Sequence, residues 1–344
     1  MKRQNEKKRL NNTSKFLILL SVGLFALFIL SLIFILFGAE KIKFADLWNG
    51  LFKFDKGNFN QVIVHDIRLP RLIADIVVGV SLAVAGAVMQ GNTKNPMADS
   101  GIMGISAGSI FAIIIMVLVL PNASRLERIG FSCIGALGAT LLIYAVAMVG
   151  RRGATAERMV LSGMAISTLF SSVTSAIVLK GGLSSQLMKY TTGSSANTIW
   201  LDIEIAVPFF LVGFIVSLII SRSLTIMNLG EDVSKGLGAN IKIVKFTSTV
   251  VVLVLSAIAV VIIGPVGYVG LMVPHIVRHF VGTDYRLVIP SCAIMGGVLV
   301  VFVDFLARMI LAPLEFPVGT ILTMIGVPFF IFVSRRQRSD TFGG

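Results

Sequence analysis

His275 and His279 are the first place to look for chemistry. They lie four residues apart, a spacing that puts two imidazoles on one face of a helix. The zinc-protease helix shares that spacing but needs Glu directly after the first His. Here position 276 is Ile, Phe follows His279, and no cysteine is near in sequence, so no metal is assigned. The pair is expected to pack at the end of a short helix, with His279 near a membrane surface. Asp304 and Arg308 are also four apart and can pair across one turn. Ionisable groups in a membrane are costly and tend to mark function; the competing reading is an ion pair that only orients its helix. Arg308 is expected to lie beyond the apolar core and face outward. Arg68 and Arg71 bracket Pro70 and would make a fixed cationic spot. Such a spot either captures carboxylates through bidentate hydrogen bonds or merely marks a membrane surface. Ser167, Ser171 and Thr174 follow one another at steps of four and three, so they share a helix face. A polar stripe of this kind either lines a wet cavity or tightens helix packing. There is no Gly-Lys dipeptide, hence no P-loop for ATP, and no G-x-S-x-G nucleophile elbow is expected.

The stretch Asn228–Lys245, NLGEDVSKGLGANIKIVK, separates two long apolar blocks and is polar, glycine-rich and net basic. Leu229, Val233 and Leu237 recur every four residues on one face of a short helix, and Glu231 and Lys235 stand at ion-pair spacing on another. Gly236 and Gly238 allow close backbone approach and a sharp turn. The helix is built either to dock on a partner or to connect two spans through solvent.

These groups must be positioned by membrane helices. The 344-residue chain is 56% hydrophobic and 14% charged, with mean hydropathy +0.91, whereas a soluble domain carries about a quarter charged residues. The fold class is all-α and polytopic. A net charge of +13 suggests nucleic acid at first sight, but basic and aromatic residues are not interleaved, and the charge sits at span ends, where it sets topology in the bilayer. Cys133 and Cys292 lie in apolar runs and read as small buried hydrophobes.

A span needs about 20 apolar residues, and shorter runs can be broken helices. On that basis ten spans are expected. They are 16–37, 71–90, 102–120, 129–149, 158–179, 203–220 and 246–263, then a short, Gly/Pro-broken eighth within 264–282, then 287–306 and 318–333. The divisions are a basic tail at 1–15, one transmembrane domain at 16–338 and a tail at 339–344. The run after the basic N-terminus is too long for a signal-peptide core. Ten spans put both basic termini on the cytoplasmic side. The segment Gly38–Asp66 is expected to be external, and the Asn228–Lys245 stretch internal. Pro96–Gly108 and Pro317–Gly326 resemble each other as a proline leading into a Gly-punctuated helix, which hints at an inverted repeat.

Three blocks carry a family resemblance. RLPRLIADIVVGVSLAVAGAVMQ with NPMADSGIMGISAG, GPVGYVGLMVPHIVRHFVGTDYR, and VDFLARMILAPLEFPVGTILTMIGVPFF occur in order over about residues 60–335. They resemble the permeases that import iron-siderophores, haem and cobalamin. That family is the membrane subunit of type II ABC importers, with ten spans per subunit. The resemblance implies that Arg68, Arg71 and Arg308 meet acidic residues of an extracytoplasmic substrate-binding protein. It implies that Leu229, Gly230, Glu231, Val233, Lys235, Leu237 and Gly238 form a coupling helix in a cleft of an ATPase subunit. Thr155 falls near the family's cytoplasmic gate, although Ala154 and Ala156 fit the pattern loosely. The stripe Ser167, Ser171 and Thr174 would then face the translocation pathway.

The expected function is a permease subunit of an ATP-driven importer for a ferric siderophore or similar chelate, in the bacterial cytoplasmic membrane. Its expected partners are two ATPase subunits, the binding protein and a second permease subunit, identical or paralogous. ATP and Mg would belong to the ATPases, and this chain would hold no cofactor. The rival readings are an intramembrane enzyme using His275, His279 or Asp304, and, less well supported, an ion channel.

Overall fold

The computed structural model describes residues 2–38, 40–99, 104–149, 156–191, 193–236, 238, 240–310, 312 and 316–342. Among them every regular element is helical. In chain order the helices are α1 (Lys2–Leu36), α2 (Phe44–Phe52), α3 (Phe59–Val62), α4 (Leu69–Thr93), α5 (Ile105–Val119), α6 (Arg125–Met148) and α7 (Ala156–Gly181). Then come α8 (Ser184–Thr191), α9 (Trp200–Met227), α10 (Glu231–Gly236), α11 (Ile241–Ile263), α12 (Val269–Val281), α13 (Tyr285–Ile310) and α14 (Val318–Phe342). A π-helical segment, Ile63–Arg68, joins α3 to α4. Seven helices are long and apolar enough to cross a membrane: α1, the α3–α4 unit, α6, α7, α9, α11 and α13. Three shorter apolar helices, α5, α12 and the Val318–Val333 part of α14, fill the remaining expected positions.

The bundle is built around α4, whose apolar window is 89% buried. Glycine makes that burial possible. A Cβ on Gly79 would stand 2.2 Å from the carbonyl oxygen of Gly296 in α13, and one on Gly86 would stand 2.0 Å from that of Gly270 in α12. With no water to expel, helices in a bilayer associate through such close backbone approach. The α4–α13 pair is antiparallel: Arg71 meets Asp304 at one end, and Gly91 lies against Tyr285 at the other. Helix α1 runs parallel to α13, with Gly23 against Ile294 and Phe34 against Arg308. A third glycine contact, Gly108 on Gly135, joins α5 to α6.

The bundle thus has an arginine end, where α1 finishes and α4 begins, and an opposite end that carries α10. At the arginine end a capping box starts α6: Glu127 N–H donates to Ser124 Oγ, and Ser124 N–H donates to Glu127 Oε2. At the opposite end Asn240 caps α11 through Ile243 N–H.

The structure departs from the expected layout in three places. The second span begins before Arg71, because the π segment and α3 extend it back to Phe59. The Gly38–Asp66 segment contains α2, α3 and part of that π segment. Finally, α14 continues past Val333 to Phe342.

Candidate functional site

The last four carbonyls of any helix lack intrahelical partners and must find donors elsewhere. At the C-terminus of α1 the accounting closes completely. Ile33 O accepts Phe37 N–H and Leu36 O accepts Ile42 N–H. The two carbonyls between them go to arginines: Phe34 O accepts Arg308 Nη2 at 2.8 Å, and Ile35 O accepts Arg68 Nη1. Arg68 Nη2 also donates to Glu40 O, and Arg308 lies over the Phe34 ring at 3.8 Å. Two cations therefore sit where the helix dipole is negative.

Arg71 completes the cluster. Its Nε and Nη2 each donate to one oxygen of Asp304 at 2.8 Å, and the pair is almost fully buried. Arg308 Nε lies farther off, 4.0 Å from Asp304. Asp75, one turn along α4 from Arg71, is fully buried, and neither of its carboxylate oxygens receives a hydrogen bond. It faces Asp304 and Ser195. Ser195 belongs to the 193–198 segment, which is pinned by Gly319 N–H donating to Gly193 O.

The expectation that Arg68, Arg71 and Arg308 stand out at a surface is corrected here. All three are buried, at 4%, 3% and 9% exposure. A guanidinium among apolar helices must be paired or neutralised, and carbonyls and a carboxylate of this same chain supply the partners. The i,i+4 spacing of Asp304 and Arg308 was visible in sequence, but Asp304 gives its bidentate bond to Arg71, 233 positions away.

At the opposite end, α10 is hung from the last turns of α9. Ser234, fully buried, donates to Ile226 O and Gly230 O. Gly230 (φ +118°) and Gly238 (φ +75°) make the turns on either side of α10. Leu229 and Val233 are left 62% and 50% exposed on an otherwise polar loop. The helix places Glu231, Lys235 and Gly236 within α10, whereas Leu237 and Thr155 lie outside the described residues.

Along α7, Ser167 is half-buried, Ser171 exposed and Thr174 buried, so the expected stripe spans two environments. The hydroxyls of Ser167 and Ser175 donate to carbonyls one turn back, Gly163 and Ser171.

Two positions that hold the site's helices together escaped sequence reading. Gln90, at the end of α4, donates to Ala98 O and Gly270 O and accepts Arg278. Asp99 accepts Tyr268 N–H, and Tyr268 has φ +69°. Together they seat the start of the short helix α12 on α4. The signal was a buried amide closing an apolar run.

The arrangement gives an enzyme little to work with. The His275 ring sits edge-on to Phe329, and His279 meets Phe280. The pentapeptide Gly104–Gly108 does spell G-x-S-x-G, but a nucleophile elbow follows a strand. Here Gly104 caps α5, and no strand occurs among the described residues.

Comparison with known proteins agrees with this reading. The FecCD transport family matches residues 24–336. The iron(3+)-hydroxamate import system permease protein of Bacillus subtilis (strain 168) is 37% identical, covering 93% of this chain and 84% of that protein. The Fe(3+)-citrate import system permease protein of the same organism is also 37% identical, covering 91% and 95%. A solved structure described as an inward-facing conformation of a metal-chelate-type ABC transporter shares the fold, with TM-score 0.80 and 24% identity over 92% of this chain and 98% of that one. The chain is a multi-pass membrane permease subunit of an ABC importer, not an enzyme, and it belongs to the FecCD transport family.

Proposed function

We propose that this permease carries a ferric siderophore or a similar metal chelate, delivered by an extracytoplasmic binding protein. It would be paired with a second permease subunit and driven by two ATPase subunits that hold ATP and Mg. The relatives' names, iron(3+)-hydroxamate and Fe(3+)-citrate permeases, support the cargo class. Both termini and α10 then face the cytoplasm, with residues 1–15 and 339–344 as tails of a permease domain at 16–338. Closure of the ATPases on α10 rocks the spans between outward-open and inward-open states. The stripe Ser167, Ser171 and Thr174 lines the pathway, and Thr155 contributes to the cytoplasmic gate.

One observation carries the coupling role: Val233 on α10 and Leu229 just before it stay exposed, while the rest of the subunit holds the helix by its buried Ser234 face. Apolar side chains on a polar loop have a use when an ATPase cleft covers them, and Glu231, Lys235, Leu237, Gly230 and Gly238 complete that docking element. The test is Val233→Asp. An unpaired carboxylate in that contact costs more than the roughly 2–7 kcal/mol of an unpaired neutral polar group, so the ATPase is expected to be lost on co-purification and chelate uptake by proteoliposomes abolished. A variant that keeps its ATPase and transports normally removes α10 from the coupling role.

Docking of the binding protein falls at the arginine end, where Arg68 lies nearest the exposed Glu40 segment. The expected result for Arg68→Glu is weaker docking together with a lower denaturation midpoint, because the charge at this end is reversed and the buried cap on Ile35 O and Glu40 O is lost. A loss of thermal stability with unchanged docking would confine Arg68, Arg71 and Arg308 to their internal capping work.

A further inference from the structure

Helix α2 divides into three sectors. At 100° per residue, Phe44, Trp48, Leu51 and Phe52 share one sector, Leu47 and Gly50 the next, and Asp46 and Asn49 the third. The second sector is buried: Leu47 joins Phe34, Ile35, Ile42, Val64 and Leu72 in a cluster that ties α2 to the ends of α1 and α4. The third is polar, and Asp46 accepts a hydrogen bond from Asn60. The first is apolar yet bare, with Phe44 61%, Trp48 55% and Phe52 67% exposed. Trp48 and Phe52 pack against each other at 4.6 Å, so the aromatic face is preassembled.

A helix that only crossed from one span to the next would have two sectors, protein and water. The additional aromatic sector needs a third medium. Two features identify it. First, the α2 cluster rests on the last turns of α1, whose sides expose Leu24, Phe25 and Phe28, with exposed Phe37 just beyond its end, as a membrane-facing helix must. The bare face of α2 therefore lies at the height where that apolar surface ends. Second, exposed lysines flank the helix at both ends, Lys41 and Lys43 before it and Lys53 and Lys56 after it. Of the neighbouring carboxylates, Asp46 and Asp55 are engaged within the segment, by Asn60 and by Gly57 N–H, and the exposed Glu40 beside Lys41 still leaves the lysines in excess. Aromatic rings at the acyl boundary with lysines reaching to phosphates is the arrangement of a helix lying in the membrane interface.

We propose that α2 is an interfacial helix that lies in the headgroup region of the bilayer at the arginine end and binds anionic phospholipid. Phe44, Trp48 and Phe52 enter the acyl boundary, and Lys41, Lys43 and Lys53 meet the phosphates. This anchors the junction between α1 and α4, and so the cluster of Arg68, Arg71 and Arg308, at a fixed depth. The inference does not depend on which chelate is carried or on which side of the membrane this end faces.

The chain contains two tryptophans, which makes a direct test possible. Trp200 is anchored by a hydrogen bond from its Nε1 to His65 O, so Trp200→Phe leaves Trp48 as this chain's reporter, and emission from the other subunits is removed by subtracting the signal of Trp48→Phe. The complete transporter is placed in nanodiscs of phosphatidylcholine or phosphatidylglycerol brominated at shallow or deep acyl positions. Most of the Trp48 emission is expected to be lost with shallow bromines, little with deep bromines and little with aqueous iodide. Brominated phosphatidylglycerol should quench more than brominated phosphatidylcholine, and that preference should vanish in Lys41→Gln/Lys43→Gln/Lys53→Gln. Should Trp200→Phe fail to fold, the Trp48 signal is obtained as the difference between wild type and Trp48→Phe. Quenching by iodide and not by bromolipid overturns the proposal. Iodide quenching that disappears when a binding protein is added overturns it too, in favour of a protein-docking face. Equal quenching by the two headgroups removes the anionic-lipid part.

Discussion

Helices α4 and α7 are both membrane spans, yet 89% of the apolar window of α4 is buried against 22% for α7. The difference lies in how each uses its small and polar residues. In α4, Gly79 and Gly86 admit the backbones of α13 and α12, and Arg71 is spent on Asp304 across the bundle. In α7 the hydroxyls of Ser167, Thr168 and Ser175 turn back onto their own helix. One helix is locked by long-range contacts. The other satisfies its polar groups locally and leaves its outer face available. Within one permease subunit this separates a rigid body of α1, α4, α12 and α13 from a helix whose surface is left for the pathway, the lipid or a second subunit.

The largest expected effect comes from the locked side. Asp304→Asn leaves Arg71 buried without its counter-charge, and breaking a buried pair this way costs about 3–5 kcal/mol. We expect a large fall in the thermal denaturation midpoint of purified permease. Ser175→Ala on α7 should stay within about 0.5 kcal/mol of wild type. Asp75→Asn should be tolerated as well, because an amide offers Asp304 a donor in place of an unpartnered carboxyl. An Asp304→Asn midpoint close to wild type would mean that the pair is not what holds α4 to α13.

Gly86→Ala comes next. One methyl would meet Gly270 O at 2.0 Å, a contact that backbone shifts must relieve, at or above the upper end of the about 1–3 kcal/mol usual for overpacking. The control lies in α6. Gly138 has open space around it while Gly135, three residues earlier, presses on Gly108 O, so Gly135→Ala should lower folded yield and Gly138→Ala should not. Equal yields for those two would show that the glycine contacts give way at little cost.

These substitutions also mark what sequence reveals. The order of spans was legible because apolar runs of membrane length are a one-dimensional signal, and even the short α12 showed through its glycines and prolines. Which face of a span is buried was not legible. Arg68, Arg71 and Arg308 read as surface residues because their partners, the carbonyls of Phe34 and Ile35 and the carboxylate of Asp304, are a consequence of tertiary packing. Gln90 and Asp99 were hidden for the same reason. The three sectors of α2 were present in the spacing of its aromatics, but mixed charge around them masked the pattern.

A subtler effect is expected on the outer face of α7. Cysteine at Ser171, which is exposed, should react with a water-soluble thiol reagent if that face lines an aqueous pathway, and cysteine at Val178, 3% exposed, should react far more slowly. Reaction at Ser171 only in some nucleotide states would assign the face to the moving part of the pathway. No reaction in any state would give it to packing against lipid or a second subunit.

The smallest effect concerns α10, which belongs to neither class. Ser234 is fully buried and donates to Ile226 O and Gly230 O. Both carbonyls also accept backbone N–H groups, from Leu229 and Ser234 itself. Ser234→Ala therefore strands no acceptor and should cost only the net value of a hydrogen bond, about 0.5–1.5 kcal/mol. Because α10 is an appended element, that cost should be local: amide exchange in 229–236 should quicken while exchange in α4 stays unchanged, and the global midpoint should barely move. A fall in the midpoint comparable with that of Asp304→Asn would place α10 inside the rigid body. Its motion under an ATPase would then have to be transmitted by the whole subunit and not by a hinge at Gly230, where φ is +118° and an added Cβ would meet nothing within 4 Å.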